Sequence, residues 1–472
     1  MSELISLLSS ERCVRLQADH PEQLLDTAVA VFGSSGHAEQ VLAVDFNLRE
    51  YWRAESSPLS LVALYHLQKI HNDIAVTVAV IRSAELTAAR WRELQREPLN
   101  FSAQLRALQV PSFRLDQALL LQPISIPKPW GREIWYTGIE RRGVAELSDG
   151  QFTVALPWLL AAAPQRLLGG DQEPILLKIL DPLPEAVFGD LYFEMHRQKQ
   201  EVYVVTAVDA DAWPDGKGAI RFGFNAELRA SYGDDQKFLD AYLTSVRTYR
   251  EIRGSIDRQL DARRQAEGID LNEPLSASTL QAWLEELPPS STRQEQAARA
   301  AMERFTGMRP LQVGDVVKVP CLVPHSLQHG VRTVEFQTPV YERLILSFAQ
   351  KVLTQDGWDT EAAAALLCID PPPVEPWSTT AQGDGWIEER IVEFDNFEVR
   401  RLTLRGGASR TLNSGNRYGL LMAVGSDLQL VSGSLPADTA VLLPVAWRGG
   451  EVANIGSRPA YLLLATPTDA RG

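Results

Sequence analysis

Apolar positions along this chain follow two periods, and each stretch predicts its own element. Across residues 236–264, Leu239, Tyr242, Val246, Tyr249, Ile252, Ile256 and Leu260 recur at three- and four-residue steps. That spacing lines one face of an α-helix, so a single long amphipathic helix is expected. Two more helices should follow. Residues 278–281 (Ser-Thr-Leu-Gln) and 291–294 (Ser-Thr-Arg-Gln) have the form of a capping box, and Gly307 should end the second helix. Helices are also expected over 21–32 and 86–96. The unbroken apolar run 74–81 (Ile-Ala-Val-Thr-Val-Ala-Val-Ile) reads instead as a buried strand. Alternation of period two marks residues 189–205, and short alternating strands recur late in the chain, at 397–404 and 461–465.

Prolines divide these stretches. Pro123, Pro127 and Pro129 fall within seven residues, stop any helix and favour extended backbone, so a new domain should begin there. Prolines at 371, 372, 373 and 376 read as a second boundary, a stiff linker. The expected organisation is mainly β. An N-terminal α/β region of unassigned role covers 1–120, and a β domain with a helical insertion at about 234–308 covers 121–370. A second β domain covers 371–472.

Composition narrows the function classes. The chain has 472 residues, 45% hydrophobic and 22% charged, with a formal net charge of −14. No apolar run approaches the roughly 20 residues that cross a bilayer, so no membrane span is expected. The acidic balance and the lack of a basic stripe argue against nucleic acid. The first residues lack a basic stretch followed by a long apolar core, so no signal peptide is read there and the cytoplasm is the default location. Cys13, Cys321 and Cys368 are too few and too widely spaced for a disulfide framework, and buried free thiols are expected. Of seven histidines, His20, His37, His66 and His71 have no ligand spacing and should be surface or core residues.

The remaining histidines carry the candidate chemistry. On the alternating stretch 189–205, Glu194 and His196 share one face of a strand and Glu201 lies just beyond, giving three prospective metal ligands in eight residues. The stretch 314–331 supplies a fourth, His325, after Pro320 and Pro324. Imidazole and carboxylate together suit zinc, iron or manganese. Read as a pair, the two segments resemble the two motifs of cupins, double-sheet jelly rolls that hold one metal ion.

The resemblance sharpens over 123–466. The Trp-Gly pair at 130–131, the leucine-rich segment 151–170 and the Leu-x-Lys-x-Leu-Asp strand ending at Asp181 are similar, in the same order, to the opening of type I mannose-6-phosphate isomerases. Glu194-Met-His196 stands where that family has Gln-x-His, and Lys199-Gln-Glu201 stands where it has Lys-x-Glu. His325 stands at the last metal-binding histidine, and Glu335-Phe-Gln337 and Arg343 resemble the Glu-x-Gln and Arg that follow. The resemblance implies two cupin domains, the second of them metal-free, and one divalent ion, zinc first with iron or manganese as alternatives. It implies aldose–ketose isomerisation of a sugar or sugar phosphate. Glu194, His196, Glu201 and His325 would hold the ion, Lys199 and Glu335 would handle protons, and Arg343 would stabilise the developing oxyanion. The chain departs from the family at Tyr192, where a serine stands, at Glu194, where a glutamine stands, and at Arg197, where a proline stands. A second carboxylate makes the site formally neutral and the ion a weaker Lewis acid. The alternatives are a sugar-binding or regulatory cupin that keeps the metal without turnover, and a non-haem metal oxygenase.

Overall fold

The computed structural model describes residues 2–71, 73–96, 100–371, 376–413, 415–431 and 433–468. Contacts divide the chain into two compact units. The first comprises Met1–Ile124, Trp135–Leu176 and Trp377–Gly472, and the second Ser125–Ile134 and Leu177–Pro376.

The first unit opens with a five-stranded sheet. Its strands, in spatial order, are Cys13–Gln17, Glu39–Leu48, Leu59–Ile70, Asp73–Arg82 and Phe113–Arg114, and only the first pair is parallel. The apolar run 74–81 lies on the fourth strand, where every residue from Ala75 to Ile81 is buried. Burial on both faces explains why that run does not alternate. Val41, Val62 and Ala79 on the sheet pack against Leu94, Phe101 and Leu105 on the helices Ala88–Arg96 and Phe101–Ala107. The helix expected over 21–32 is Pro21–Ser34. His66 is buried and paired with Glu39 at 3.1 Å.

The rest of the first unit is a β-sandwich. A nine-stranded sheet includes Phe397–Leu404 and Ala460–Pro467, and a four-stranded sheet faces it. Leu402, Leu421, Leu443 and Leu462 from the larger sheet meet Leu412, Leu428 and Val452 from the smaller one. The strand Leu119–Gln122 belongs to the larger sheet, hydrogen-bonded to Ala440–Leu443 on one side and Glu146–Ser148 on the other. Of the stiff linker expected at 371–376, residues 372–375 lie outside the described residues.

The second unit is a sandwich of the cupin-like kind with five helices added among its described residues. Its six-stranded sheet runs, in order, Val316–Val319, Glu201–Val208, Val331–Gln337, Leu176–Pro182, Gly131–Trp135 and Ile124–Lys128. Its five-stranded sheet runs Thr306–Leu311, Gly218–Phe224, His325–Leu327, Phe193–Met195 and Leu344–Ser347. Tyr203, Val205 and Val317 of the first sheet pack against Ile220, Leu327 and Ile345 of the second and against Tyr192, just before the strand Phe193–Met195.

The long helix is Asp235–Glu267, and its buried seam is Phe238, Tyr242, Val246, Tyr249, Arg253, Ile256 and Leu260. Leu239 and Ile252, expected in the seam, are only half-buried. Arg253 takes the place expected for Ile252 because its charge is answered locally, by Asp257 at 2.9 Å and the Ala349 carbonyl at 3.2 Å. The two following helices start elsewhere than expected. Ser276, not Ser278, caps Ala277–Glu285 by accepting from the Thr279 N–H. Pro289–Glu303 begins without a side-chain cap, so Ser291 lies inside its first turn. Gly307 does not end that helix but lies in the strand Thr306–Leu311, where a Cβ would come within 2.8 Å of the Phe222 carbonyl oxygen.

Candidate metal centre

Strand pairing brings the four prospective ligands together. Glu194 on Phe193–Met195 lies opposite His325 on the neighbouring antiparallel strand. His196 follows immediately as that strand ends, and Glu201 opens the strand Glu201–Val208 of the facing sheet. The ligand atoms of Glu194, His196 and His325 all lie within 4.8 Å of one another. The Glu201 carboxylate is 3.4 Å from His196 Nε2 and 3.2 Å from His325 Nε2.

Backbone carbonyls orient both imidazoles. His196 Nδ1 donates to the Glu342 carbonyl at 2.9 Å and His325 Nδ1 to the Val323 carbonyl at 3.0 Å. A carbonyl only accepts, so each Nδ1 carries the hydrogen and each Nε2 presents a lone pair to the centre. Burial, helped by the nearby Lys199 ammonium, lowers the His196 pKa and keeps that ring neutral. Burial alone would raise the Glu201 carboxyl. The Lys199 ammonium on Oε1 outweighs it and holds Glu201 well below the usual carboxylate range. Tyr203 completes the cradle, its hydroxyl donating to Glu201 Oε2 at 2.7 Å.

Three buried atoms fit a cation and little else. Glu194 Oε2, His196 Nε2 and His325 Nε2 are buried without a hydrogen-bond partner, and the two ring nitrogens face the Glu201 carboxylate. An unsatisfied buried polar group costs about 1–3 kcal/mol, and three that converge are best answered by one shared ligand. Two imidazole nitrogens and two carboxylates suit zinc, and also iron or manganese.

A row of buried charges extends from this centre across the six-stranded sheet. Glu335 lies opposite Tyr203 in register, and its carboxylate is 3.3 Å from Lys178 Nζ. Lys178 also approaches Glu133 at 3.9 Å, and Glu133 pairs with Lys128 at 3.0 Å. Burial pushes the Glu335 pKa up to about 8 despite Lys178, with the Glu201 charge adding to the rise. Burial would lower Lys178, but Glu335, Glu133 and Glu201 together raise it, so it stays an ammonium. Sequence reading noted the strand that carries Lys178 without giving the residue a role, and it missed Glu133 and Lys128. The available signal was polar residues recurring at inward positions of otherwise apolar strands.

Arg343, expected to stabilise a developing oxyanion, has no carboxylate partner among the described residues. It is half-buried, packs over the Tyr192 ring and donates to Thr354 Oγ1. Glu335 instead takes Lys178 as its partner. His329 is a turn residue, bonded to Asp190 at 2.7 Å and stacked on Trp213. The expected buried thiols are not fully buried: Cys13 and Cys321 are half-buried and Cys368 is exposed.

No family model matches the sequence, and no curated protein matches it. Solved structures do match. The mannose 6-phosphate isomerase from Bacillus subtilis superposes with a TM-score of 0.51, covering 74% of this chain and 99% of its own, at 12% identity. A single-site mutant of phosphomannose isomerase from Salmonella typhimurium also gives 0.51, over 74% of this chain and 99% of its own, at 10% identity. At such identities the likeness is one of fold, and the fold these mannose 6-phosphate isomerase structures share is the one this chain adopts.

Proposed function

We propose that the chain is a metal-dependent isomerase that interconverts an aldose phosphate and its ketose phosphate, with mannose 6-phosphate and fructose 6-phosphate as the first pair. The observation that carries this reading is the convergence of Glu194, His196, Glu201 and His325, with three orphaned polar atoms, in a fold shared with mannose 6-phosphate isomerases. We assign the ion to the second unit, read as the metal-binding cupin within 121–370. The strands after residue 377 are read as a metal-free cupin, and 1–120 as an added α/β region. One divalent ion, zinc first, would polarise the sugar carbonyl and its neighbouring hydroxyl. Three free cysteines suit a reducing compartment, and we place the protein in the cytoplasm.

The chain's own residues would do the following. Glu335, with a pKa near 8, is present in both protonation states close to neutral pH and can carry a proton between adjacent carbons. Lys178 remains charged beside it and favours a developing negative charge. Lys199, held on Glu201, keeps that carboxylate ionised for the metal. Arg343 has no carboxylate partner among the described residues and is free to meet an anion, the oxyanion or the phosphate.

One observation favours a second reading, a sugar-binding protein that keeps the ion without turnover. Tyr192 brings a large ring, stacked under Arg343, to a position where a small residue would leave room. A coupled assay with mannose 6-phosphate, on zinc-loaded and chelator-stripped protein, separates the two. Zinc-dependent formation of fructose 6-phosphate is expected. Tight binding of the sugar phosphate without turnover would replace the isomerase by the binding protein.

A further inference from the structure

The second unit contains a cavity of about 790 Å3 between the helices Asp235–Glu267, Ala277–Glu285 and Pro289–Glu303 and the turn at residues 185–188. None of the metal-centre residues lines it. Its size falls within the roughly 300–1,000 Å3 of small-molecule sites.

The turn in its wall is held under strain. Val187 has φ +72°, a conformation that a β-branched residue adopts only when its surroundings force it. The Gly189 N–H donates to the Glu185 carbonyl at 2.8 Å and closes the turn. Gln350 Nε2 pins it by donating to the Phe188 carbonyl at 2.7 Å. The close approach needs Gly189, since a Cβ there would lie 1.9 Å from the Leu183 carbonyl oxygen. Strain of this kind concentrates where ligands are clamped.

The lining chooses the class of ligand. Arg253, Arg293 and Arg299 are matched by Glu185, Glu285 and Glu295, three positive against three negative, so the wall favours neither a polyanion nor a polycation. Hydrogen-bonding capacity is nevertheless left over. Glu295 uses one oxygen, Oε1, for both Tyr249 Oη at 2.7 Å and Arg299 Nε at 3.2 Å. Its Oε2 and both Nη atoms of Arg299 have no partner among the described residues, and Gln350 engages only its amide nitrogen. Acceptors beside donors match hydroxyl groups, which give one hydrogen bond and accept others. Phe188, Ile256, Leu280 and Leu284 supply apolar wall for the C–H faces of a ring.

We propose that this cavity is a second ligand site, separate from the metal centre, and that it takes an uncharged polyhydroxylated small molecule, a sugar or polyol of one or two rings. Saturation-transfer NMR on the full chain, with D-mannose, D-glucitol and trehalose as probes, tests it. At least one probe should receive transfer, lose it in Leu284→Trp, which fills the cavity, and keep it in His325→Ala. Thr292→Trp blocks the same space from another helix and serves where Leu284→Trp does not fold. The proposal is overturned if no probe receives transfer or if transfer survives the tryptophan variants. Transfer that disappears only in His325→Ala would also overturn it and move the binding to the metal centre.

Discussion

The guanidinium carbon of Arg343 lies 4.7 Å from the centroid of the Tyr192 ring. A cation over an aromatic face contributes about 0.5–1 kcal/mol at an exposed site, and the partner is one of the three residues at which the chain departs from the resembled family. The two substitute for an ion pair, because Arg343 has no carboxylate partner among the described residues and Glu335 is held by Lys178. Truncating Arg343 therefore strands no buried charge.

Arg343→Ala should accordingly leave the fold and the bound metal intact, lowering stability by no more than about 1 kcal/mol. If Arg343 meets the oxyanion, the same variant should lose roughly 10²-fold or more in turnover, the effect of removing one preorganised donor. Arg343→Lys should restore the ring contact without the full rate, because an ammonium lacks the planar fork. Melting, metal content and the isomerase assay on both variants check this. Undiminished activity in a folded, metal-replete Arg343→Ala protein would remove Arg343 from catalysis.

The candidate metal centre makes its own prediction. His325→Ala deletes an Nε2 whose orientation is fixed by the Val323 carbonyl. Affinity should fall by more than the roughly 10- to 100-fold that loss of an outer partner costs. Elemental analysis of protein purified without added metal should show about one ion per chain in the parent, as a single site requires, and little in the variant. Full occupancy in the variant would exclude His325 from the ligand set.

Much of this centre was legible in the sequence because it depends on a local rule. Alternation placed Glu194 and His196 together, and Glu201 lies only five residues beyond His196. Lys178, Glu133 and Lys128 obey no local rule. Their partnership arises from the sheet order that places Val331–Gln337 beside Leu176–Pro182 and then Gly131–Trp135, a pairing of strands far apart in sequence. Arg253 was passed over for a different reason. Its polarity breaks the apolar pattern, and only Asp257 and the Ala349 carbonyl make its burial tolerable. The capping boxes failed because two Ser-x-x-Gln strings fit the pattern while backbone geometry selected Ser276 for one helix and no side-chain cap for the other.

The strain at Val187 is testable without any ligand. Val187→Gly should stabilise the protein by on the order of 1 kcal/mol, from about 1–3 kcal/mol of relieved strain less about 0.5–1 kcal/mol of added chain entropy. Urea denaturation of the two proteins measures the difference. A less stable glycine variant would show that the valine side chain contributes more through packing than its backbone costs.

Deleting residues 377–472 should damage the first unit. Leu119–Gln122 would lose its partner Ala440–Leu443 and keep only Glu146–Ser148. Leu119 and Leu121, buried in the whole chain, would then border an open sheet edge. Low solubility of the truncated protein, followed by sedimentation and light scattering, is the expected result. A monodisperse truncation would show that the remaining strands close on themselves.

Glu335 gives the most demanding prediction, because its sign is fixed by burial. Burial raises its carboxyl from the ordinary glutamate value of 4.5 to about 8 in the folded chain. Between those two pH values the folded protein therefore holds a proton that the unfolded chain has released. The contribution of Glu335 to stability is then fullest below about 4.5 and is lost as pH rises towards 8, the reverse of an ordinary salt-bridged carboxylate. Glu335→Gln keeps the shape and cannot ionise, so it should lack this decline, and the difference in melting temperature between variant and parent should grow with pH across that window. Lys178 remains charged throughout, held by Glu133 as well as Glu335, and contributes no slope of its own there. The pH dependence of turnover should change with it. A limb near pH 8 in the parent should disappear in Glu335→Gln, and the maximum rate should fall by the roughly 10²- to 10⁴-fold that proton transfer by a positioned side chain supplies. Parallel melting curves for the two proteins from pH 4.5 to 8 would show that Glu335 is ionised beside Lys178 at neutral pH, and its role would then be electrostatic instead of proton-carrying.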